Sequence, residues 1–191
     1  MKLNLGCGNN RLEGYCNVDA YAGCAPDQVV DLERFPWPFA DGVAEEIRLC
    51  HVLEHLGQDP QVFLGVMKEL YRVSRPDARI HIDVPHPLHR DFHTDPTHVR
   101  VVTPETLEMF SLPNCLLWQS GGYANTPLAL MCDVDFELER TEYMADPETF
   151  ARLTGLGLAL SEADLVPCNS LFPDLIRQIR MTLRVCKPPR G

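Results

Sequence analysis

Side chains with chemical use concentrate in a few short stretches of this chain: Gly6-Cys7-Gly8, Asp19, Asp31, Cys50-His51 and segment 86–98. A Gly-x-Gly directly behind the apolar pair Leu3 and Leu5 suits a strand that ends in a side-chain-poor loop. Glycines there let backbone approach a ligand closely. The motif is weak alone, because the longer G-x-G-x-x-G dinucleotide fingerprint is not met. Asp19 and Asp31 each close a short apolar run. Segment 86–98 holds His86, His89, His93 and His98 with Asp91 and Asp95, four histidines and two carboxylates in thirteen residues. Such a set could grip a metal, but its spacing matches no compact zinc pattern and no metal ligand is assigned. It also suits a substrate-gripping loop in which His86, Asp91 or His93 takes up a proton, since histidine accepts protons near neutrality. A plain polar surface loop is the bland alternative.

The elements that must position these groups follow from periodicity and breakers. Short strands are expected at 3–5, 16–19, 27–32, 46–51 and 78–84. Asp59-Pro60 is an N-cap followed by proline at the first helical position. Val62, Phe63, Val66, Leu70 and Val73 then recur at helical spacing until 75–77 stops the helix. Trp37 and Phe39, flanked by prolines, suit a rigid apolar loop. Strands interleaved with a helix suit a doubly wound α/β sheet. Ligands of such sheets bind outside the carboxyl ends of the strands, where Gly6, Asp19, Asp31, His51 and His86 all fall. The link between the first two strands is about ten residues, slightly under the dozen usual for a parallel crossover, so it holds a turn or two of helix at most. Further on, helices are expected from Thr103-Pro104 and Asp146-Pro147 and over 171–179, with strands at 133–143 and 181–186. Segment 111–131 gives no clear signal.

A chain of 191 residues suits one domain, with 86–131 as a substrate-side loop and helix region. A net charge of -10 argues against nucleic acid as a main partner. The basic residues of 173–191 read as a solvated edge. None of the eight cysteines forms a CxxC pair, and Cys50 and Cys186 fall in expected strands, where a thiol is usually a small core group. No apolar run reaches the ~18 residues of a membrane helix and no signal peptide is evident. Reduced thiols and a cytoplasmic location are the expectation; the oligomeric state stays open.

Taken in order, a set of segments resembles the class I methyltransferases that use S-adenosyl-L-methionine, in particular the small type 11-like group. The set is Leu3-Asn4-Leu5-Gly6-Cys7-Gly8, Asn17-Val18-Asp19, Asp31-Leu32-Glu33 with Pro36-Trp37-Pro38-Phe39, and His51-Val52-Leu53-Glu54-His55-Leu56. Glu69-Leu70-Tyr71-Arg72-Val73 with Pro76, then Ile80-His81-Ile82-Asp83-Val84-Pro85, continue it. The resemblance implies a Rossmann-like, doubly wound, mostly parallel sheet, here with an abbreviated first crossover and an antiparallel late strand. It implies Gly6, Cys7 and Gly8 against the methionyl part of the cofactor, Asp19 on the ribose hydroxyls and Asp31 on the adenine amino group. Leu32 backbone would lie near the ring, and Cys50 and His51 would line the cofactor. The reaction implied is in-line methyl transfer to an oxygen or nitrogen of a small molecule or glycan-like metabolite. Asn10 stands where a third glycine is common, and Pro76-Asp77-Ala78 where Pro-Gly-Gly is common. Two other classes remain open: a metal-dependent hydrolase built on segment 86–98, and a non-catalytic binding module that keeps the fold.

Overall fold

Alternation along the strands decides where the core lies. In the computed structural model, which describes residues 1–190, seven strands form one sheet in the order β3-β2-β1-β4-β5-β7-β6. These are β1 (Lys2–Leu5), β2 (Cys16–Asp19), β3 (Gln28–Val29), β4 (Ala44–Cys50), β5 (Ser74–Pro85), β6 (Phe136–Ala145) and β7 (Ile176–Val185). The first five run parallel, and β7 is antiparallel to both neighbours. Register puts Leu3, Ile47, Ile80 and Leu183 in one row and Leu5, Leu49, Ile82 and Met181 in the next. All eight are buried. Between these rows stand polar rows: Lys2, Glu46, Arg79 and Arg184, then Asn4, Arg48, His81 and Thr182. Cross-strand ion pairs tie them, Lys2 to Glu46 at 2.8 Å and Arg79 to Glu139 at 2.9 Å. One face of the sheet is thus apolar and the other polar and half-exposed.

Helices α1 (Pro60–Val73), α2 (Arg90–Thr94), α3 (Pro104–Glu108), α4 (Leu112–Ser120), α5 (Leu128–Cys132), α6 (Pro147–Gly155) and α7 (Leu165–Asn169) flank the sheet. The fold class is the one expected. Asp59 caps α1 by accepting from the Gln61 N–H, and Phe63, Val66, Met67, Leu70 and Val73 are buried. Phe63 meets Phe110 edge-on, at 6.1 Å between centroids, which draws the α3 region into the main core. Segment 86–131 is therefore divided. Leu107, Phe110, Cys115 and Ala129 are buried, while no residue of α2 is.

Several boundaries differ from expectation. The helix expected over 171–179 is absent: residues 176–185 are strand β7. Pairing with β6 slips by one residue between Gln178 and Ile176, so Ile176 and Ile179, three apart, are both buried. A bulge at Arg177 thus produces a spacing that mimics a helix face. β3 covers two residues rather than six. The chain passes from α1 into β5 at Ser74, with a register irregularity opposite and Asp77 at φ +60°. Cys50 is exposed, not a core thiol, because it ends β4 on the polar row; Cys186 is buried.

The short first crossover contains no helix and is held by two buried asparagines. Asn4 donates to the carbonyl of Asn10 and to Asn17 Oδ1, each at 2.9 Å. Asn17 Oδ1 also accepts from the Leu12 N–H at 2.8 Å, and its amide donates to the Leu12 carbonyl. Side chains here satisfy the backbone groups that a helix would have satisfied. Asn17→Ala is expected to lower stability by about 2–3 kcal/mol in urea unfolding, since it orphans several buried partners at ~1 kcal/mol or more each. A loss below about 0.5 kcal/mol counts against this account.

A second buried polar knot fastens the last described residues. Asp135 is fully buried. It accepts from Arg190 Nε at 2.8 Å and Nη2 at 2.9 Å, and from the N–H groups of Arg190 and Leu112 at 2.8 and 3.0 Å.

Candidate functional site

From β1 the chain moves outward to β2 and β3, then returns to the other side of β1 as β4. That reversal makes the carboxyl ends of β1 and β4 a topological switch point, where open α/β sheets bind ligands. Gly6 and Gly8 both have left-handed φ, +64° and +48°. A Cβ on Gly6 would lie 2.5 Å from Val52 Cγ2, whereas one on Gly8 would meet nothing within 4 Å. The first glycine lets the loop close against Val52, and the second leaves an open cradle.

Asp19 ties that loop to the end of β2. Its Oδ2 accepts from the Gly8 N–H at 2.8 Å and its Oδ1 from the Tyr21 N–H at 2.9 Å. Each carboxylate oxygen keeps a further lone pair for a ligand hydroxyl. Cys7 between the glycines is buried and donates its N–H to the Val18 carbonyl at 2.9 Å. Burial, with Cys24 and Asp19 nearby, pushes its thiol up to about 11, so it stays neutral at physiological pH.

The Val30 N–H donates to the Asp19 carbonyl at 2.9 Å, which sets the next expected residues beside this edge. Asp31 is exposed and accepts from the Glu33 N–H and Arg34 Nε, both at 3.0 Å. Leu32 is buried, and its carbonyl accepts from the Trp37 indole at 3.1 Å. Trp37 and Phe39 are core residues.

At the end of β4, Cys50 pairs in register with Asp83, and partial desolvation of its otherwise exposed side chain, with the nearby Asp83 charge, raises its thiol above the ordinary value. His51 follows at φ +56° with its N–H on the Asp83 carbonyl at 2.8 Å. Its ring lies between two acceptors, Glu54 Oε1 at 3.2 Å from Nδ1 and Gln178 Oε1 at 3.1 Å from Nε2. The Glu54 bond raises its pKa. In its protonated form the ring donates on both sides.

Beyond His51 lies a cavity of about 500 Å³, with Asp91, His98, Arg177, Gln178 and Arg180 in its wall. Arg177 Nε is 2.9 Å from Asp91 and Arg180 Nε is 3.0 Å from Asp83. Of the histidine-rich segment, only Asp91 and His98 are wall residues. His86 lies 3.4 Å from the Asn169 amide, and burial lowers its pKa. His93 Nε2 bonds the Pro87 carbonyl at 3.0 Å. His89 is buried and caps α2 through Nδ1, which accepts from the Asp91 N–H at 3.1 Å. The segment thus sends its histidines to separate neighbourhoods. Among the described residues, the groups of three that could share an ion are Cys7, Asp19 and Cys24, and Glu54, His55 and His98. Arg177, Gln178 and Arg180 were not expected from sequence. They reach the wall because β7 inserts beside β5, where Arg180 pairs with Asp83 and Gln178 with Pro85.

The fold has known counterparts. No family model matches the chain, and no curated protein matches it in sequence. Among solved structures, an S-adenosylmethionine-dependent methyltransferase from Archaeoglobus fulgidus superposes with a TM-score of 0.63 at 18% identity, over 96% of this chain and 85% of that one. A putative methyltransferase from Bacillus halodurans gives 0.56 at 12% identity, over 97% and 92%. The cyclase SpnF gives 0.54 at 15% identity, over 100% and 75%. The chain therefore has the Rossmann-like fold of the S-adenosylmethionine-dependent methyltransferases. No helix among the described residues is long and apolar enough to cross a membrane.

Proposed function

We propose that this chain binds S-adenosyl-L-methionine across the carboxyl ends of β1, β2 and β4 and transfers its methyl group to an oxygen or nitrogen of a small molecule or glycan-like metabolite. The observation that carries this reading is the Gly6–Gly8 loop at the switch point, closed on one side by Val52 and tied by Gly8 to the Asp19 carboxylate. The residues fit the group: an open cradle beside Gly8, an anchored carboxylate with lone pairs to spare, and a neutral thiol between. The cofactor supplies an activated methyl on a sulfonium, so the protein's task is alignment and exclusion of water.

In this reading Gly6, Cys7 and Gly8 border the methionyl part, Asp19 holds the ribose, and Asp31 with the Leu32 N–H faces adenine. Cys50 and His51 form the wall between cofactor and acceptor. His51, held between Glu54 and Gln178, donates rather than accepts. Asp91 is the proton acceptor within the cavity wall, steadied by Arg177. His86 and His93 stand off that wall and would need a shift of segment 86–98 to take part. Arg177 and Arg180 line the acceptor side as ion pairs with Asp91 and Asp83. A second reading, a reaction other than methyl transfer on the same fold, is favoured by the likeness to a protein described as a cyclase.

Calorimetric titration with S-adenosylhomocysteine tests the cofactor claim. Micromolar binding is expected, weakened about ten-fold or more in Asp19→Asn, because a charge-assisted bond contributes about 1.5–3 kcal/mol. The amide keeps an oxygen for one loop N–H, so the loop is not simply released. Absence of binding at millimolar ligand would remove the proposal.

A further inference from the structure

Among the described residues, Glu54 Oε2 is the only buried carboxylate oxygen without a hydrogen-bond partner. The Glu54 side chain is fully buried, and its other oxygen faces His51. A buried carboxylate oxygen in that setting calls for a partner beyond His51. His55 and His98 each bring one ring nitrogen near the Glu54 carboxylate, the three ligand atoms lying within 4.8 Å of one another.

Both rings are oriented from behind. His98 Nδ1 is 2.8 Å from the Phe92 carbonyl, which can only accept, so Nδ1 carries the hydrogen. His55 Nδ1 is 2.9 Å from Thr97 Oγ1. The Thr97 hydroxyl gives its own proton to Asp95 Oδ1 at 2.6 Å, so its oxygen accepts from His55. Nε2 of each neutral ring is left with its lone pair. This is the outer-shell arrangement of histidines that hold metals. Backbone brings the two stretches together: the Val99 and Arg100 N–H groups donate to the Glu54 carbonyl at 2.8 and 3.1 Å. The residue after His98 is thereby fastened to the residue before His55. The two histidines lie edge to face, 4.6 Å between centroids.

We infer that Glu54, His55 and His98 hold a divalent first-row transition ion, with Zn²⁺ the best match to two imidazoles and a carboxylate. The ion sits at the edge of the cavity, since His98 is in its wall. Asp95 Oδ2, 3.9 Å from His98 Nε2, is a further oxygen close by. The site stands whether or not methyl transfer is the reaction, because its ligands are not those assigned to the cofactor.

The full chain, stripped with a chelator, is titrated with Zn²⁺ against a chromophoric competitor and with Co²⁺ followed by its visible spectrum. One equivalent is expected whose affinity falls at least about ten-fold in His98→Ala and equally in the half-buried His55→Ala, with both variants folded by circular dichroism. The same equivalent survives in Cys24→Ser and His93→Ala, which excludes the other cysteine and histidine clusters as its source. If no equivalent of bound ion depends on both His55 and His98, the inference is overturned.

Discussion

Gly6→Ala is expected to abolish S-adenosylhomocysteine binding and to lower the unfolding free energy by about 3 kcal/mol. Two effects add. A non-glycine residue at φ +64° costs about 1–2 kcal/mol. The new Cβ, 2.5 Å from Val52 Cγ2 and 2.9 Å from Cγ1, forces overpacking that costs typically ~1–3 kcal/mol. Val52 is 7% exposed and starts the turn into Glu54, so it has little room to retreat. The double variant Gly6→Ala/Val52→Ala separates the terms. It removes the two Cγ contacts, leaves Val52 Cβ at 3.3 Å and the backbone cost, and so, measured against Val52→Ala alone, recovers most of the Gly6→Ala loss that is steric. Urea unfolding and calorimetry read the two properties independently. Normal ligand affinity in Gly6→Ala would show that the loop does not approach the cofactor.

Arg190→Ala is expected to cost about 3 kcal/mol, the usual penalty for stranding one partner of a buried ion pair. Burial alone pushes the Asp135 carboxyl up, but bonds from the Arg190 side chain and from the N–H groups of Arg190 and Leu112 outweigh it and hold the carboxyl below its ordinary value. The sign follows from linkage. A folded-state value below the unfolded one contributes stability that is present above about pH 4 and is lost as pH falls through the folded value. In Arg190→Ala the Asp135 value rises. The stability gap between wild type and variant is therefore widest near neutrality and narrows on acidification. Denaturant melts across that range check it. A pH-independent gap would mean that the guanidinium acts through packing rather than charge.

What could be read from the sequence divides along a physical line. Local signals were legible: the Asp59 and Asp146 caps, the α1 face, and the ends of β1, β2, β4 and β5 that carry Gly6, Asp19, His51 and His86. Each depends on residues within one turn or one strand. Non-local facts were not. The cavity wall needs β7 beside β5, and nothing within 176–185 announces that neighbour. The bulge at Arg177 placed two isoleucines at helical spacing and hid the first half of the strand, whose second half was expected at 181–186. His98 joins Glu54 and His55 only through two backbone bonds across the chain. The first crossover was read as short, but its replacement of a helix by Asn4 and Asn17 depends on a contact between strands. Arg79-Ile80-His81-Ile82-Asp83-Val84 alternates strictly, and alternation in a parallel strand marks a face that is not buried under helices.

That polar face bears on how the protein responds to temperature. Unfolding raises heat capacity mainly by exposing apolar surface, while exposing polar surface lowers it. A sheet that hides its aliphatic rows on one side, and presents Lys2, Glu46, Arg79, His81 and Arg184 on the other, releases less apolar surface per residue than one sandwiched between two greasy layers. Its heat-capacity increment is expected toward the low end of the usual ~12–15 cal/mol/K per residue. The free-energy dome is correspondingly flat, so the chain keeps a nearly constant margin over a broad span of temperature instead of a high peak at one.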